Sequence, residues 1–267
     1  MAFVYKSPAS ILEELGIREP ADIRIEAIAQ YCGATILYQP LQGAEARILG
    51  YGDKAIITVN NAASPGRRRF SGGHELGHWM CDRRKIAFSC SEKMLAREWA
   101  DDNPEVRANQ FAAELLLPET MFRPRAKNRE MTFVTVGDLA NAFTTSLTAT
   151  AIRLVEFGSF PAALVCSDRE RRRWFKRGPD VPKVLWPHDR VSPRTVAYDV
   201  LEGKTRSPGP EEVCADGWFG HHAAHRYAIW EDTVRITEEY VLSLLWWKDE
   251  QELLDLDEDE EDHEDKE

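Results

Sequence analysis

A short H-E-x-x-H motif, formed by His74, Glu75 and His78, constrains this chain more than any other feature of its sequence. Residues four positions apart on a helix point to the same side, so both imidazoles can bind one metal ion only if the segment is helical. The pattern predicts a helix from Phe70 to Cys81. Two neutral imidazoles bind Zn²⁺ at roughly 2.0–2.1 Å, and Glu75 would lie beside the metal-bound water as its general base. The alternative is a partly buried helix with two hydrogen-bonded histidines and a surface glutamate.

A third metal ligand is expected, because catalytic zinc normally has three protein ligands. The downstream acidic candidates are Glu92, Glu98, Asp101, Asp102 and Glu105. Glu105 lies three residues before Ala108, on the apolar stripe of a helix predicted from Glu105 to Leu117. A carboxylate on a buried stripe is costly unless it is paired or binds a metal, so Glu105 is the predicted ligand. Asn109, one turn later, either holds a ligand in place or makes a simple hydrogen bond within the helix.

Two segments together resemble the ImmA/IrrE family of metallo-endopeptidases. They are RRRFSGGHELGHWM at residues 67–80 and EVRANQFAAELLLP at residues 105–118. Either segment alone is a weak signal, whereas the pair is specific, and the resemblance extends over roughly residues 8–158. One departure is the pair Gly72-Gly73, where the family has residues that favour helix more strongly. Since glycine costs up to about 1 kcal/mol in a helix interior, the pair predicts a later start of the helix.

The resemblance implies a zincin-like peptidase with Zn²⁺ as its cofactor. It assigns His74, His78 and Glu105 as zinc ligands and Glu75 as the catalytic base that activates the zinc-bound water. It also implies that the substrate is a protein, namely a helix-turn-helix transcriptional repressor that is cleaved under stress or during induction of mobile elements. Two alternatives stay open, a metal-binding regulator without proteolytic activity and an adaptor that binds a repressor or a toxin–antitoxin component.

Charge is distributed unevenly along the chain, whose net charge is −11. Residues 249–267 contain 13 of the 45 acidic residues and one lysine, so the remaining body is close to neutral. A neutral body lacks the basic footprint of a nucleic-acid-binding protein, and no direct nucleic-acid binding is expected. The acidic segment repels itself and is predicted to be disordered.

These patterns predict an α+β protein in three parts. Residues 1–158 form the zincin-like metallopeptidase domain, and residues 159–248 form a smaller α+β domain with a regulatory or partner-binding role. Residues 249–267 form the disordered acidic tail. Short strand-like runs are expected in both domains, at 34–38, 46–50, 55–59, 162–166, 173–176, 228–230 and 240–247.

The compartment is predicted from segments that the sequence lacks. No run approaches the 18–20 apolar residues that span a bilayer, and the first residues lack the pattern of a signal peptide. The 5 cysteines are an odd number at wide spacing, which is typical of reduced thiols rather than of a disulfide framework. A cytoplasmic protein without membrane contact is expected, and its oligomeric state is not predicted.

Overall fold

The computed structural model describes residues 5–82, 88–90, 103–204 and 209–249 together with Leu253, and of residues 88–90 the backbone alone. Contacts divide the chain into two units. The first comprises the chain up to Phe122 together with Ala140–Ser146, and the second comprises Arg123–Leu139 together with the chain from Leu147 onward. Helices and sheets in both units confirm the predicted α+β class. The domain boundary predicted after residue 158 does not coincide with this division, and it stays a prediction.

The first unit contains a four-stranded mixed sheet and a set of helices. In chain order its described elements are α1 (Pro8–Glu14), α2 (Ile25–Tyr31), β1 (Ala34–Gln39), β2 (Ala46–Tyr51), β3 (Lys54–Asn60), α3 (Pro65–Asp82), β4 (Phe88–Cys90) and α4 (Pro104–Leu116). The strand order is β1-β3-β2-β4, in which β1 runs parallel to β3 and the other neighbours are antiparallel. The first three predicted strands are confirmed. Gly52 turns the chain between β2 and β3 with φ of 61°, a conformation that glycine adopts without steric cost.

Helix α3, which carries the H-E-x-x-H motif, begins earlier than predicted. It starts at Pro65 rather than Phe70. Proline is tolerated in the first turn because the N–H groups of that turn have no partner within the helix, so the missing N–H of Pro65 costs no hydrogen bond. The N–H of Arg68 donates to the carbonyl of Ser64 at 2.9 Å and closes this first turn. The helix also continues through the pair Gly72-Gly73, so the later start predicted from these glycines is wrong.

The glycines of α3 allow close packing on two sides. A Cβ on Gly72 would lie 3.2 Å from Cδ1 of Ile36 in β1, so this side of α3 lies against the sheet. A Cβ on Gly77 would lie only 2.8 Å from Cα of Ala108, so the opposite side lies directly against α4. Buried side chains fill the space around these contacts, among them Leu76, Trp79 and Met80. The helix that bears the motif is therefore held between the sheet and α4.

The second unit contains a five-stranded antiparallel sheet. Its described elements include α7 (Leu147–Phe157), β5 (Ala162–Ser167), β6 (Arg172–Arg177), α8 (Val196–Leu201), β7 (Glu211–Cys214), β8 (Ala228–Arg235) and β9 (Val241–Trp246). The strand order is β6-β5-β9-β8-β7. Strands β5 and β9 are buried along their whole length, whereas β6 lies at an edge. The strands expected in this region are confirmed, and β7 was not predicted. Two further helices, α5 (Glu119–Ala126) and α6 (Phe133–Phe143), contribute residues to both units.

The acidic segment after Lys248 is described at two positions only, Asp249 and Leu253. Leu253 is 3% exposed and belongs to the hydrophobic core of the second unit, where Trp247 is also buried. The segment was predicted to be disordered, whereas Leu253 is packed. Burial of an apolar side chain away from water is favourable even within an acidic stretch. The rest of the predicted disordered tail lies outside the described residues.

Two further predictions concern membrane-spanning helices and the state of the cysteines. No helix in the described ranges combines the length and the apolar character needed to cross a membrane. Where the structure describes cysteine side chains, at Cys32, Cys81, Cys166 and Cys214, they are free thiols, which agrees with the prediction for these four.

Candidate metal centre

Helix α3 directs His74 and His78 towards a common point. Their Nε2 atoms lie 3.1 Å apart, and the two rings meet edge to face with their centroids 4.6 Å apart. Both side chains are buried, at 3% and 0% exposure. The spacing of four residues therefore places both imidazoles on one face of α3, as the motif predicted.

The first turn of α4 supplies Glu105 to the same point. Its Oε2 atom lies 3.2 Å from Nε2 of His74, and its Oε1 atom lies 3.3 Å from Nε2 of His78. The side chain of Asn103 caps α4 by accepting the N–H of Glu105 at 2.9 Å, which holds this turn in place. The two adjacent imidazoles lower the pKa of the Glu105 carboxyl and outweigh its burial, which raises the pKa. Glu105 is thus an ionised group, as a metal ligand must be.

The outer nitrogen of each imidazole faces a second polar group. Nδ1 of His74 lies 2.9 Å from Oδ1 of Asn109 and can donate to it, which leaves the lone pair of the neutral ring on Nε2. Nδ1 of His78 lies 3.9 Å from a carboxylate oxygen of Asp82, whose other oxygen accepts from Arg107 at 2.6 Å. A hydrogen-bond partner such as Asn109 orients a metal-binding histidine and fixes which nitrogen carries the proton, whereas the distance between His78 and Asp82 is too long for a hydrogen bond.

Asp82 was not predicted to take part in the site, although the sequence contained a signal for it. It follows His78 by four residues, the same interval that separates His78 from His74. Three residues at this spacing form one continuous helical face. The position of Asp82 beside the second imidazole therefore follows from helix geometry alone.

Glu75 lies in the same turn of α3 as His74 and is fully buried, at 0% exposure. It is not one of the three groups whose ligand atoms converge. Consecutive residues of a helix are about 100° apart around the axis, so Glu75 cannot share the direction of His74. A carboxylate without solvent is costly, and the alternative interpretation of Glu75 as a surface residue is wrong.

The three converging side chains have the spacing and the chemistry of a metal site. Ligands at 2.0–2.1 Å from a tetrahedral ion lie about 3.3 Å from one another. The observed distances between ligand atoms are 3.1, 3.2 and 3.3 Å. Two neutral imidazoles and one carboxylate are also a recurrent ligand set of catalytic zinc. The cluster of His74, His78 and Glu105 can therefore hold a metal ion.

The structure brings together the three ligands that the sequence predicted. The competing candidates for the third ligand lie outside the described residues, namely Glu92, Glu98, Asp101 and Asp102. Asn109 contacts His74, which is the outer position expected for it.

The chain is similar to known proteins in part of its sequence and in its fold. The family model of the M78 peptidases, described as the IrrE N-terminal-like domain, matches residues 29–155. A search of curated proteins gave no match.

Among solved structures, the fold is similar to that of a Mycobacterium tuberculosis transcriptional regulator. The TM-score is 0.59 at 16% sequence identity, and the match covers 90% of this chain and 74% of that one. At this identity the likeness concerns the fold alone. The family match is more specific, because residues 29–155 contain both motifs of the resemblance and all three clustered ligands. Residues 29–155 thus match the IrrE N-terminal-like domain of the M78 peptidases, which supports membership of the chain in the ImmA/IrrE family.

Proposed function

We propose that this chain is a zinc-dependent metallo-endopeptidase with a zincin-like catalytic domain, which cleaves a helix-turn-helix transcriptional repressor. The observation that carries the proposal is the convergence of His74, His78 and Glu105, with Glu75 buried in the same turn of α3 as His74. The ligand set favours zinc, because imidazole and carboxylate at tetrahedral spacing are typical of that ion. Membership in a peptidase family supports hydrolysis of a peptide bond.

Each residue of the site has a separate role in this proposal. Zinc, when bound, polarises the carbonyl of the scissile bond and lowers the pKa of water towards ~7. Glu75 takes a proton from the attacking water and delivers it to the leaving amine. Asn109 holds the His74 ring through Nδ1, so that Nε2 keeps its lone pair for the metal.

The proposed substrate rests on the resemblance to the family, whose members cleave repressors. A site of three ligands and one base has little sequence preference of its own, so a regulatory protease needs a recognition surface elsewhere. The second unit is the proposed location of that surface, in agreement with a regulatory or partner-binding role for residues 159–248.

The second candidate is a metal-binding regulator without proteolytic activity. The Mycobacterium tuberculosis protein of similar fold is called a transcriptional regulator. Against this candidate stands Glu75, because a site that only holds a metal ion needs no additional buried carboxylate beside its ligands.

The test is cleavage of a helix-turn-helix repressor, sought among the products of the genes that neighbour the gene for this chain. The zinc-loaded protein is incubated with that repressor, with and without a chelator, and the fragments are identified by mass spectrometry. Glu75→Gln is nearly isosteric and cannot accept the proton. We expect it to keep the zinc and the fold while the cleavage rate falls by about 10²–10⁴-fold.

The matched control is Glu114→Gln, an exposed glutamate of α4 outside the ligand cluster, which should cleave as the wild type does. If Glu75→Gln still cuts at an appreciable fraction of the wild-type rate, Glu75 is not the base. If the zinc-loaded wild type binds the repressor and leaves it intact, the regulator without proteolytic activity is the correct function.

A further inference from the structure

A second candidate site lies in the second unit, where a concave pocket has a volume of about 610 Å³. None of the metal-centre residues lines it. Its polar and aromatic lining includes Arg172, Trp186, His188, Asp189, His221 and His222. Pockets of about 300–1,000 Å³ with a few convergent polar groups are typical of sites for small ligands.

The pocket wall is held by hydrogen bonds to the sheet edge. The backbone N–H of Arg172, in the edge strand β6, donates to the carbonyl of Asp189 at 2.6 Å, and its guanidinium donates to the carbonyl of Pro187. The N–H of His188 donates to the carbonyl of Trp218 at 2.7 Å. Residues 187–189 are thereby tied to two separate segments, so the pocket is preformed.

The lining carries an excess of groups that bind anions. A guanidinium has five N–H donors, and Arg172 uses one of them for Pro187 among the residues that the structure describes. Three imidazoles line the same space, those of His188, His221 and His222, whereas Asp189 supplies the acidic side chain. Arginine is the residue best suited to bind phosphate, because its planar fork can make two parallel hydrogen bonds.

A large aromatic surface lies beside these donors. Trp186 is 56% exposed, although tryptophan is usually buried to a high degree. Phe175 supports it edge to face, with ring centroids 4.7 Å apart, and the Arg172 guanidinium lies 5.7 Å from the indole centroid. The Arg177 guanidinium also lies over this ring, 5.8 Å from its centroid, and the part of the indole that stays exposed beside these contacts can stack on a flat ring of a ligand.

The imidazoles of the pocket are not arranged to bind a metal ion. Within the described ranges, the residues whose ligand atoms converge are His74, His78 and Glu105, and the pocket histidines are not among them. Two of them already take part in hydrogen bonds, since Nε2 of His188 lies 3.1 Å from the carbonyl oxygen of Asp216 and Nδ1 of His221 accepts the N–H of Ala223 at 3.3 Å.

We propose that this pocket binds a small molecule that joins a phosphate to a flat aromatic ring, as nucleoside monophosphates do. The phosphate lies against Arg172 and the imidazoles, and the base stacks on Trp186. The carboxylate of Asp189 accepts hydrogen bonds from the sugar hydroxyls. Binding requires no peptidase activity, so the proposal stands independently of the metal centre.

The experiment measures binding by calorimetry in the full-length protein carrying Glu75→Gln. The probes are adenosine and guanosine 5′-monophosphates. Inorganic phosphate and the matching nucleoside, which are the two halves of each monophosphate, are measured separately. We expect at least one monophosphate to bind at least tenfold more tightly than either of its halves, because both subsites contribute. Binding of phosphate alone with equal affinity would overturn the aromatic subsite, and binding of no monophosphate would overturn the whole proposal.

Two variants and two controls assign the binding to the pocket. Trp186→Ala and Arg172→Gln should each weaken the monophosphate at least tenfold. Trp186 is exposed, so its variant is expected to fold even if Arg172→Gln does not. Arg190→Ala removes an exposed cation next to Asp189 in the chain, and Tyr51→Ala removes an aromatic side chain that is 91% exposed in the first unit. Both controls should bind as the parent does, and a loss in either control equal to that of Trp186→Ala would refute the assignment.

Discussion

Replacing Gly77 by alanine should separate the two helices that form the metal centre. The new Cβ would lie 2.8 Å from Cα and 2.9 Å from the carbonyl oxygen of Ala108. Carbon atoms pack best at about 3.5–4.0 Å, so a shift of up to about 1 Å is required. Both contacts are backbone atoms, which cannot rotate away as a side chain does. Helix α4 must therefore move, and it carries Glu105 with it.

The magnitude follows from two opposing contributions to the free energy of unfolding. Overpacking of a tight core contact costs about 1–3 kcal/mol. Alanine regains up to about 1 kcal/mol over glycine as a helix former. With the full helix gain the net loss is up to about 2 kcal/mol, which corresponds to a fall in melting temperature of up to about 8 °C for a chain of this size. Zinc should also bind more weakly, because Glu105 is drawn away from the imidazoles of His74 and His78.

Two further glycine variants provide matched controls in the same assay, thermal unfolding followed by circular dichroism together with zinc analysis. A Cβ on Gly73 would lie 3.4 Å from Cβ of Ala112, an ordinary contact, and a Cβ on Gly137 in α6 would meet no atom within 4 Å. Gly73→Ala and Gly137→Ala should therefore be neutral or stabilising and should keep their zinc. If Gly77→Ala melts as high as Gly73→Ala and binds zinc equally well, the close approach of α3 and α4 is refuted.

Three other substitutions test separate parts of the molecule. Asn109→Ala removes the acceptor of His74 Nδ1, and zinc affinity, measured by competition with a chelator, should fall about 10–100-fold; unchanged affinity would exclude the orienting role. Asp168→Asn should destabilise the protein more at pH 7 than in acid. Burial raises the pKa of Asp168, but hydrogen bonds from two backbone N–H groups and from Arg173 lower it by more, so the pKa lies below its usual value. The ionised carboxylate stabilises the fold above the unfolded-state pKa of about 3.9, and this stabilisation is lost as the pH falls through the folded-state pKa. The difference in melting temperature between the wild type and the variant should therefore shrink below about pH 4, and a constant difference would contradict this. Leu253→Ala should cost about 2 kcal/mol or more of unfolding free energy, because Leu253 is 3% exposed in the core of the second unit, and an unchanged melt would show that it is not packed there.

Features encoded within a few neighbouring residues were predictable from the sequence. The interval of four between His74 and His78 is enough to place both on one face of a helix, whatever the rest of the fold is. Glu105 was identified because a carboxylate on an apolar stripe needs a partner. The strand-like runs at 46–50 and 55–59 were likewise predicted, and they form the antiparallel strands β2 and β3.

Features that depend on contacts between distant residues required the tertiary structure. Local preference predicted a later start of the helix at Gly72 and Gly73, yet α3 continues through them, packed against Ile36 of β1 on one side and Ala112 of α4 on the other. The burial of Leu253 depends on an apolar core built from other strands. The pocket around Trp186 likewise has no local signature, since its walls come from three separate segments, at Arg172, at 184–189 and at 220–222. A sequence pattern records the direction of a side chain relative to its own helix or strand, whereas its partners across the fold are chosen by packing, which no local pattern contains.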